Sequence, residues 1–179
     1  SMDVLAAGFT NDFDVRLVSG NISVSDISGL IHLKTVSGNI NSKRASGNGS
    51  FETVSGDITD TENTSAEGSY QAVSGDIIVE SDSLSDITMQ SVSGDINATL
   101  GILSHAKMTT VSGDAQLTSG LAESARVEAK SVSGDLDFEW RGDLHAKFSI
   151  KSNAGGKITN RLTDDKVEKA EWGPSSTLE

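Results

Sequence analysis

A chain of 179 residues with 35% hydrophobic and only 4% aromatic residues cannot fill one thick core, and a thin core of small β-branched side chains fits it better. Fourteen basic against 26 acidic residues leave a net charge of −12, which argues against nucleic acid or an anionic membrane surface, since both need clustered cations, and leaves divalent cations or basic partners open. There is no cysteine, and no apolar run approaches the ~18 residues of a membrane span.

No secretory signal is visible, and Ser1-Met2 reads as a cloning remnant. From Val18 onward one five-residue phrase returns. Val18-Ser19-Gly20-Asn21-Ile22 and Val36-Ser37-Gly38-Asn39-Ile40 come first. Three strict copies follow, Val54 to Ile58, Val73 to Ile77 and Val92 to Ile96. Val111-Ser112-Gly113-Asp114-Ala115 and Val132-Ser133-Gly134-Asp135-Leu136 are later variants, and Asn153-Ala154-Gly155-Gly156 is a degenerate eighth. The serines stand at 19, 37, 55, 74, 93, 112 and 133, so the period is 18 to 21 residues. Such a period marks a solenoid, in which one coil cannot bury its apolar face alone. Early in the chain Ser-Gly also recurs every nine residues, at 19, 28, 37, 46 and 55. One coil then has two similar sides with a turn at each.

Within a repeat the alternation is that of strands. Ile87 and Met89 occupy odd positions, while Val92, Gly94 and Ile96 occupy even ones, so the pattern slips by one residue near Ser91. A slip flips every later side chain unless the chain bends, which predicts a corner or bulge before each valine. On that reading Val54, Gly56, Ile58, Val73, Gly75, Ile77, Val92, Gly94 and Ile96 point inward, and the Ser and Asp of each phrase point outward. The competing reading puts Ser-Gly-Asp in a tight turn with Gly or Asp at positive φ. The first is preferred because it preserves the spacing of Val and Ile.

Coils stacked about 4.8 Å apart would give seven to eight coils a length of roughly 35–40 Å. Polar inserts, Asp60 to Ser69, Glu80 to Asp86, Leu100 to Ala106, Thr118 to Ala125 and Trp140 to Ala146, belong opposite the strict phrase, where length can vary. The expected architecture is an all-β, single-stranded solenoid, a right-handed parallel β-helix of about 7–8 coils, with a repeat domain over residues 3–156. Residues 157–179 lose the phrase and read as a C-terminal cap or tail of the same domain, with a short helical turn at Asp164 to Ala170. Met2 to Phe13 holds no strong cap.

Seven iterated copies over residues 13 to 160 resemble a bacterial family of unknown function that carries an adhesin label. The resemblance implies a β-solenoid of β-helix type, exported to the cell envelope or attached near a membrane. It implies no catalytic residues. The asparagines at 21 and 39, Ala115 and the loss of the phrase after 153 depart from the family's pattern.

The chemistry the repeats could carry is limited. Asp57, Asp76, Asp95, Asp114 and Asp135 would stack as a carboxylate ladder, with Asn21 and Asn39 ahead of it. Neighbouring carboxylates at that spacing repel by ~1 kcal/mol in water, which a cation such as Ca2+ would relieve. Calcium-binding rolls need Gly-Gly-x-Gly-x-Asp, absent here, and Asn serves equally well if the side chain only accepts backbone N–H groups at a bend. The ladder therefore reads first as structural and only second as a weak cation site, with no firm metal site and no cofactor. The serine row has no positioned base, because His32, His105 and His145 sit at three different places in the repeat. His105 and His145 read as solvated loop residues. Trp140, Trp172 and Tyr70 are the aromatics read as outside the core, with both tryptophans covering the C-terminal coils. The five arginines are scattered. The sequence thus points to a non-catalytic envelope scaffold or adhesion-like surface, exported in a bacterium, presenting polar ladders to a protein or glycan partner. A self-assembling, bactofilin-like scaffold joined through the coil ends is the alternative, and a glycan-active β-helix enzyme the second.

Overall fold

The computed structural model describes residues 2–142, 146–152, 168–169 and 176–178. These form an all-β solenoid of about eight turns built from stacked parallel strands. The strands are β1 (Val4–Ala7), β2 (Phe13–Ser19), β3 (Ile22–Ser25), β4 (Ile31–Ser37), β5 (Ile40–Lys43), β6 (Gly49–Ser55), β7 (Ile58–Thr61) and β8 (Glu67–Ser74). They continue as β9 (Ile77–Ser81), β10 (Asp86–Ser93), β11 (Ile96–Ser112), β12 (Ala115–Ser133), β13 (Leu136–Arg141), β14 (Ala146–Ser152), β15 (Glu168–Lys169) and β16 (Ser176–Leu178).

Each coil contributes one short strand to face A and one longer strand to face B. β1, β3, β5, β7 and β9 stack on face A, and β2, β4, β6, β8 and β10 on face B. β11 and β12 are long enough to run through both faces. The register is one repeat per coil throughout. Ile22, Ile40, Ile58, Ile77, Ile96, Ala115 and Leu136 form one continuous row, and the serines from Ser19 to Ser133 form another. The β11–β12 pairing absorbs its extra residues in irregularities between Thr99 and Ile102 and between Leu103 and His105.

The core is the narrow space between the two faces. Face A supplies the isoleucine row. Face B supplies Leu33, Phe51, Tyr70, Met89, Met108 and Ala129, all buried. The Phe51 and Tyr70 rings stack with centroids 5.0 Å apart and planes 6° from parallel. Gly49 and Gly68 make room for them, because a Cβ at either position would overlap the ring two residues on. Tyr70 is thus a core residue, contrary to the expectation from sequence. Trp140 is half-buried near the C-terminal end, stacked on Phe138 at 5.6 Å and tilted against Phe148 at 5.2 Å. Trp172 and His145 lie outside the described residues.

The position of the parity slip corrects the sequence reading. The buried side chains of β4 are Ile31, Leu33 and Thr35, so Val36 points outward. Val54, Val73 and Val92 likewise point outward and are 39%, 43% and 47% exposed. The row just before the valines is the buried one: Thr35, Thr53, Ala72, Ser91, Thr110 and Ser131. The corner is Ser-Gly-Asp itself, and Ile58, Ile77 and Ile96 resume the inward pattern after it. Hydrophobicity misled because the core narrows at this corner and admits only small residues, two of which bond the backbone there: Thr35 and Thr53 donate to the Gly20 and Gly38 carbonyls, each at 3.1 Å.

The corner glycines have φ between 137° and 147°, where L residues are strained. A Cβ on Gly94 would also overlap the carbonyl oxygen of Gly75 one coil below. The second and third coils have a further glycine corner, at Gly29 and Gly47, which accounts for the nine-residue half-period. The inserts differ from expectation too. Asp60 is a buried strand residue, and 100–106 and 118–125 lie within β11 and β12. Residues 157–167 lie outside the described ones, while Glu168–Lys169 form a strand rather than a helical turn, paired with β16. β16 runs antiparallel along β14.

Gly94→Ala should cost at least ~2 kcal/mol, from the strained φ and the carbonyl overlap together. Gly120→Ala, whose Cβ would meet its nearest atom at 3.4 Å, should stay within about 0.5 kcal/mol. Denaturant melts of the two variants check this.

Candidate binding surface

The aspartate ladder exists and has a backbone task. Asp57 Oδ1 accepts the N–H of Asp76 at 3.0 Å, and Asp76, Asp95 and Asp114 each accept the N–H of the next rung at 2.8 Å. Asn21 and Asn39 do the same at 2.9 Å, and Asp3 begins the row at 2.8 Å. Meanwhile Gly75 N–H donates to the Ser93 carbonyl and Ile77 N–H to the Asp95 carbonyl of the next coil. At the corner the side-chain oxygen thus replaces the carbonyl that a regular ladder would offer. Only an acceptor is needed, which is why Asn and Asp interchange. Among the described residues no three His, Asp or Glu side chains converge as metal ligands.

Asp95→Asn should therefore leave stability nearly unchanged, whereas Asp95→Ala strands the Asp114 N–H and should cost about 1–2 kcal/mol. Thermal melts with and without calcium separate the roles. A calcium-dependent rise in melting temperature, lost in the Asp95→Asn, Asp114→Asn pair, would assign the row to a cation.

The far corner of the early coils carries an ion ladder instead. Arg44 donates two hydrogen bonds to Asp26, at 2.6 and 2.8 Å, and one to Glu62 at 3.4 Å. Lys43 reaches Glu62 at 3.0 Å. The hydrogen bond from Arg44 lowers the Asp26 carboxyl below its usual range, and Lys43 chiefly lowers Glu62. The groups are exposed, so the ladder orders the corner more than it stabilises the fold.

The outer surface of face B is the broadest regular feature. Three side-chain rows run along it. The first is His32, Ser50, Ser69, Thr88, Lys107 and Glu128, and the second is Lys34, Glu52, Gln71, Gln90, Thr109 and Lys130. The third is the exposed valine row. A shallow groove of about 450 Å³ follows the second and third rows past Gln71, Val73, Gln90 and Val92. A larger one, about 700 Å³, follows the start of the face-B strands, with Gly49 and Gly68 in its floor. Its walls carry Glu67 and Asp86 and, further along, His105, Lys107, Arg126 and Glu128.

His105 Nδ1 lies 2.7 Å from Asp86 Oδ1 in that groove. His105 is therefore a strand residue in register with Asp86, not a loop histidine. The spacing of 19 between them is the repeat period, which was the signal for the contact. Ser85 bonds Asp86 at 2.9 Å, on the carboxylate rather than on the imidazole, so the three do not form a nucleophile–base–carboxylate relay.

Sequence reasoning missed the buried polar cluster at Asp60. It occupies the inward slot two residues after Ile58, where neighbouring coils place Ser42 and Val79. Its Oδ2 accepts from the Tyr70 hydroxyl and from Asn63 Nδ2, both at 2.6 Å. Asp60 Oδ1, Ser42 Oγ and Ser65 Oγ have no hydrogen-bond partner among the described residues. Burial raises the Asp60 carboxyl above its usual range, and the Tyr70 hydrogen bond only partly opposes this. Burial also pushes Tyr70 well up.

With the folded value raised above the unfolded one, Asp60 contributes stability in acid that is lost as pH rises through its folded pKa. The melting temperature of the wild type relative to Asp60→Asn should therefore fall with rising pH across that range. Tyr70→Phe should cost about 1–2 kcal/mol by removing a donor to the carboxylate.

The architecture is that of a repeat solenoid whose regularity lies in its corners. Residues 5–168 match the family model of Toastrack DUF4097, and the chain belongs to that family, whose function is unknown. Neither the curated proteins nor the solved structures gave a match.

Proposed function

We propose that this Toastrack solenoid is a non-catalytic scaffold of the bacterial cell envelope, and that face B docks along an extended protein or glycan partner. The observation that carries the reading is the register of face B. Like positions repeat coil after coil, so an extended partner meets the same polar and valine contacts at each step. Affinity then accumulates from many weak contacts, as in multivalent binding. The exposed valines add an apolar stripe of the kind that marks interaction surfaces. The net charge of −12 favours a neutral or basic partner over an anionic one.

The test is binding of the purified chain to isolated bacterial cell envelopes, with Gln71→Ala, Val73→Glu and Val92→Glu introduced singly and together. These side chains are exposed, so melting temperatures should stay within a few degrees of wild type. Each substitution should weaken binding by a few-fold, and the triple variant by about the product of the single effects. Loss of all binding from one substitution, with the others silent, would point to a discrete site and overturn the ladder reading. No binding to envelopes at all would remove the envelope assignment.

A further inference from the structure

The two ends of the solenoid differ. At the C-terminal end the last face-B strand, β14, is covered by antiparallel β16 through Ile150 with Leu178, Lys151 with Thr177 and Ser152 with Ser176. At the N-terminal end β1 pairs only with β3, and β2 only with β4, among the described residues. Phe13 N–H donates to the Leu30 carbonyl at 2.8 Å, into the stack. By strand alternation the backbone groups of Val15 and Leu17 point the same way, and those of Asp14 and Arg16 point out from the free edge. The core-side residues Phe13, Val15 and Leu17 are only half-buried here, whereas Ile31, Leu33 and Thr35 one coil on are buried. Met2 and Phe9 are also exposed in the first coil, Phe9 packing on Phe13 with centroids 5.3 Å apart.

The free edge is self-complementary. Phe13-Asp14-Val15-Arg16-Leu17 reads apolar, acid, apolar, base, apolar, and reverses about Val15 with the charges exchanged. We propose that β2 is a dimer edge, at which two copies join N-terminal end to N-terminal end, with their β2 strands antiparallel across a two-fold axis at Val15. In that register Asp14 stands opposite Arg16 of the second copy. The two residues exchange the N–H···O=C bonds that the free edge offers, and their side chains, which within one copy pair with each other at 2.9 and 3.1 Å, also meet the opposite charge across the axis. Phe13 meets Leu17 of the second copy on the core side, and Val15 meets Val15. A one-residue shift of the axis would oppose Asp14 to Asp14 or Arg16 to Arg16. The contact is isologous and closes at two copies, unlike a head-to-tail filament, in which β2 of one copy would have to pair with the β14 edge that β16 covers. Both outer faces remain free, so the dimer does not depend on the function proposed above.

Sedimentation equilibrium of the full chain tests the register. Wild type should dimerise with rising concentration. Arg16→Asp and Asp14→Arg each set like charges opposite one another and should raise the dimer dissociation constant on the order of tenfold. An equimolar mixture of those two variants should recover dimer, since each pairs with the other. The double variant Asp14→Arg, Arg16→Asp should recover it alone. Both substitutions are at exposed positions, and thermal melts confirm folding. Hydrogen exchange at the Asp14 and Arg16 amides should slow as concentration rises. A chain that stays monomeric up to its solubility limit overturns the proposal. So does a dimer indifferent to the reversals, which would lie on another face, or protection of those amides independent of concentration, which would mean another strand occupies the edge.

Discussion

Stacking at the Gly-Asx corner is the constraint on which the solenoid depends. Three requirements meet there at one coil spacing. The glycine must turn the chain at a φ that other residues resist, and its missing Cβ leaves room for the glycine carbonyl of the coil below. The Asx side chain must then supply the acceptor that the turned backbone withdraws. Each condition is met by the neighbouring coil rather than within the coil itself, so one corner is stable only because the next repeats it. That is the quasi-one-dimensional logic of repeat proteins. It explains why the phrase is strict while the chain between phrases lengthens from 18 to 21 residues.

A strict corner also decides what lies inside and what lies outside. Four residues separate the inward Thr35 from the inward Ile40, an even number that breaks strict alternation, so the corner resets the phase: the valine before it is turned out, and small residues, mostly hydroxyl-bearing, are turned in. In the early coils the glycine carbonyls nearby accept the hydroxyls of Thr35 and Thr53. The cost appears as buried hydroxyls at Ser91, Thr110 and Ser131 that have no hydrogen-bond partner among the described residues. The gain is an apolar stripe on the outside, flanked by polar rows. The Asp60 cluster is a second departure from an apolar interior, held by the Tyr70 hydroxyl that the Phe51 stack positions.

Much of this was legible in the chain. The period marks the solenoid, the glycines mark the corners, and Asn in place of Asp marks a backbone acceptor rather than a metal ligand. The Asp86–His105 contact carries the period of 19, but reading His105 as a loop residue misses it. The burial of Asp60 is missed as well, because its charge reads as the start of a polar insert, although it stands two residues past the inward Ile58. The direction of the valines was not legible by hydrophobicity. Both phases of the alternation put apolar residues inside, and nothing local says whether the slip falls before Val or after it.

By itself, then, the sequence determined the repeat, the number of coils, the strand content and the identity of the corner, because all of these follow from spacing and from glycine's backbone freedom. Only the tertiary structure decided which rows face the core. That choice depends on how closely one coil can approach the next at the corner, a contact between residues 18 to 21 apart. It likewise decided that β14 is covered by β16 while β2 pairs only with β4 among the described residues, because edge pairing is a property of the assembled stack and not of any one strand.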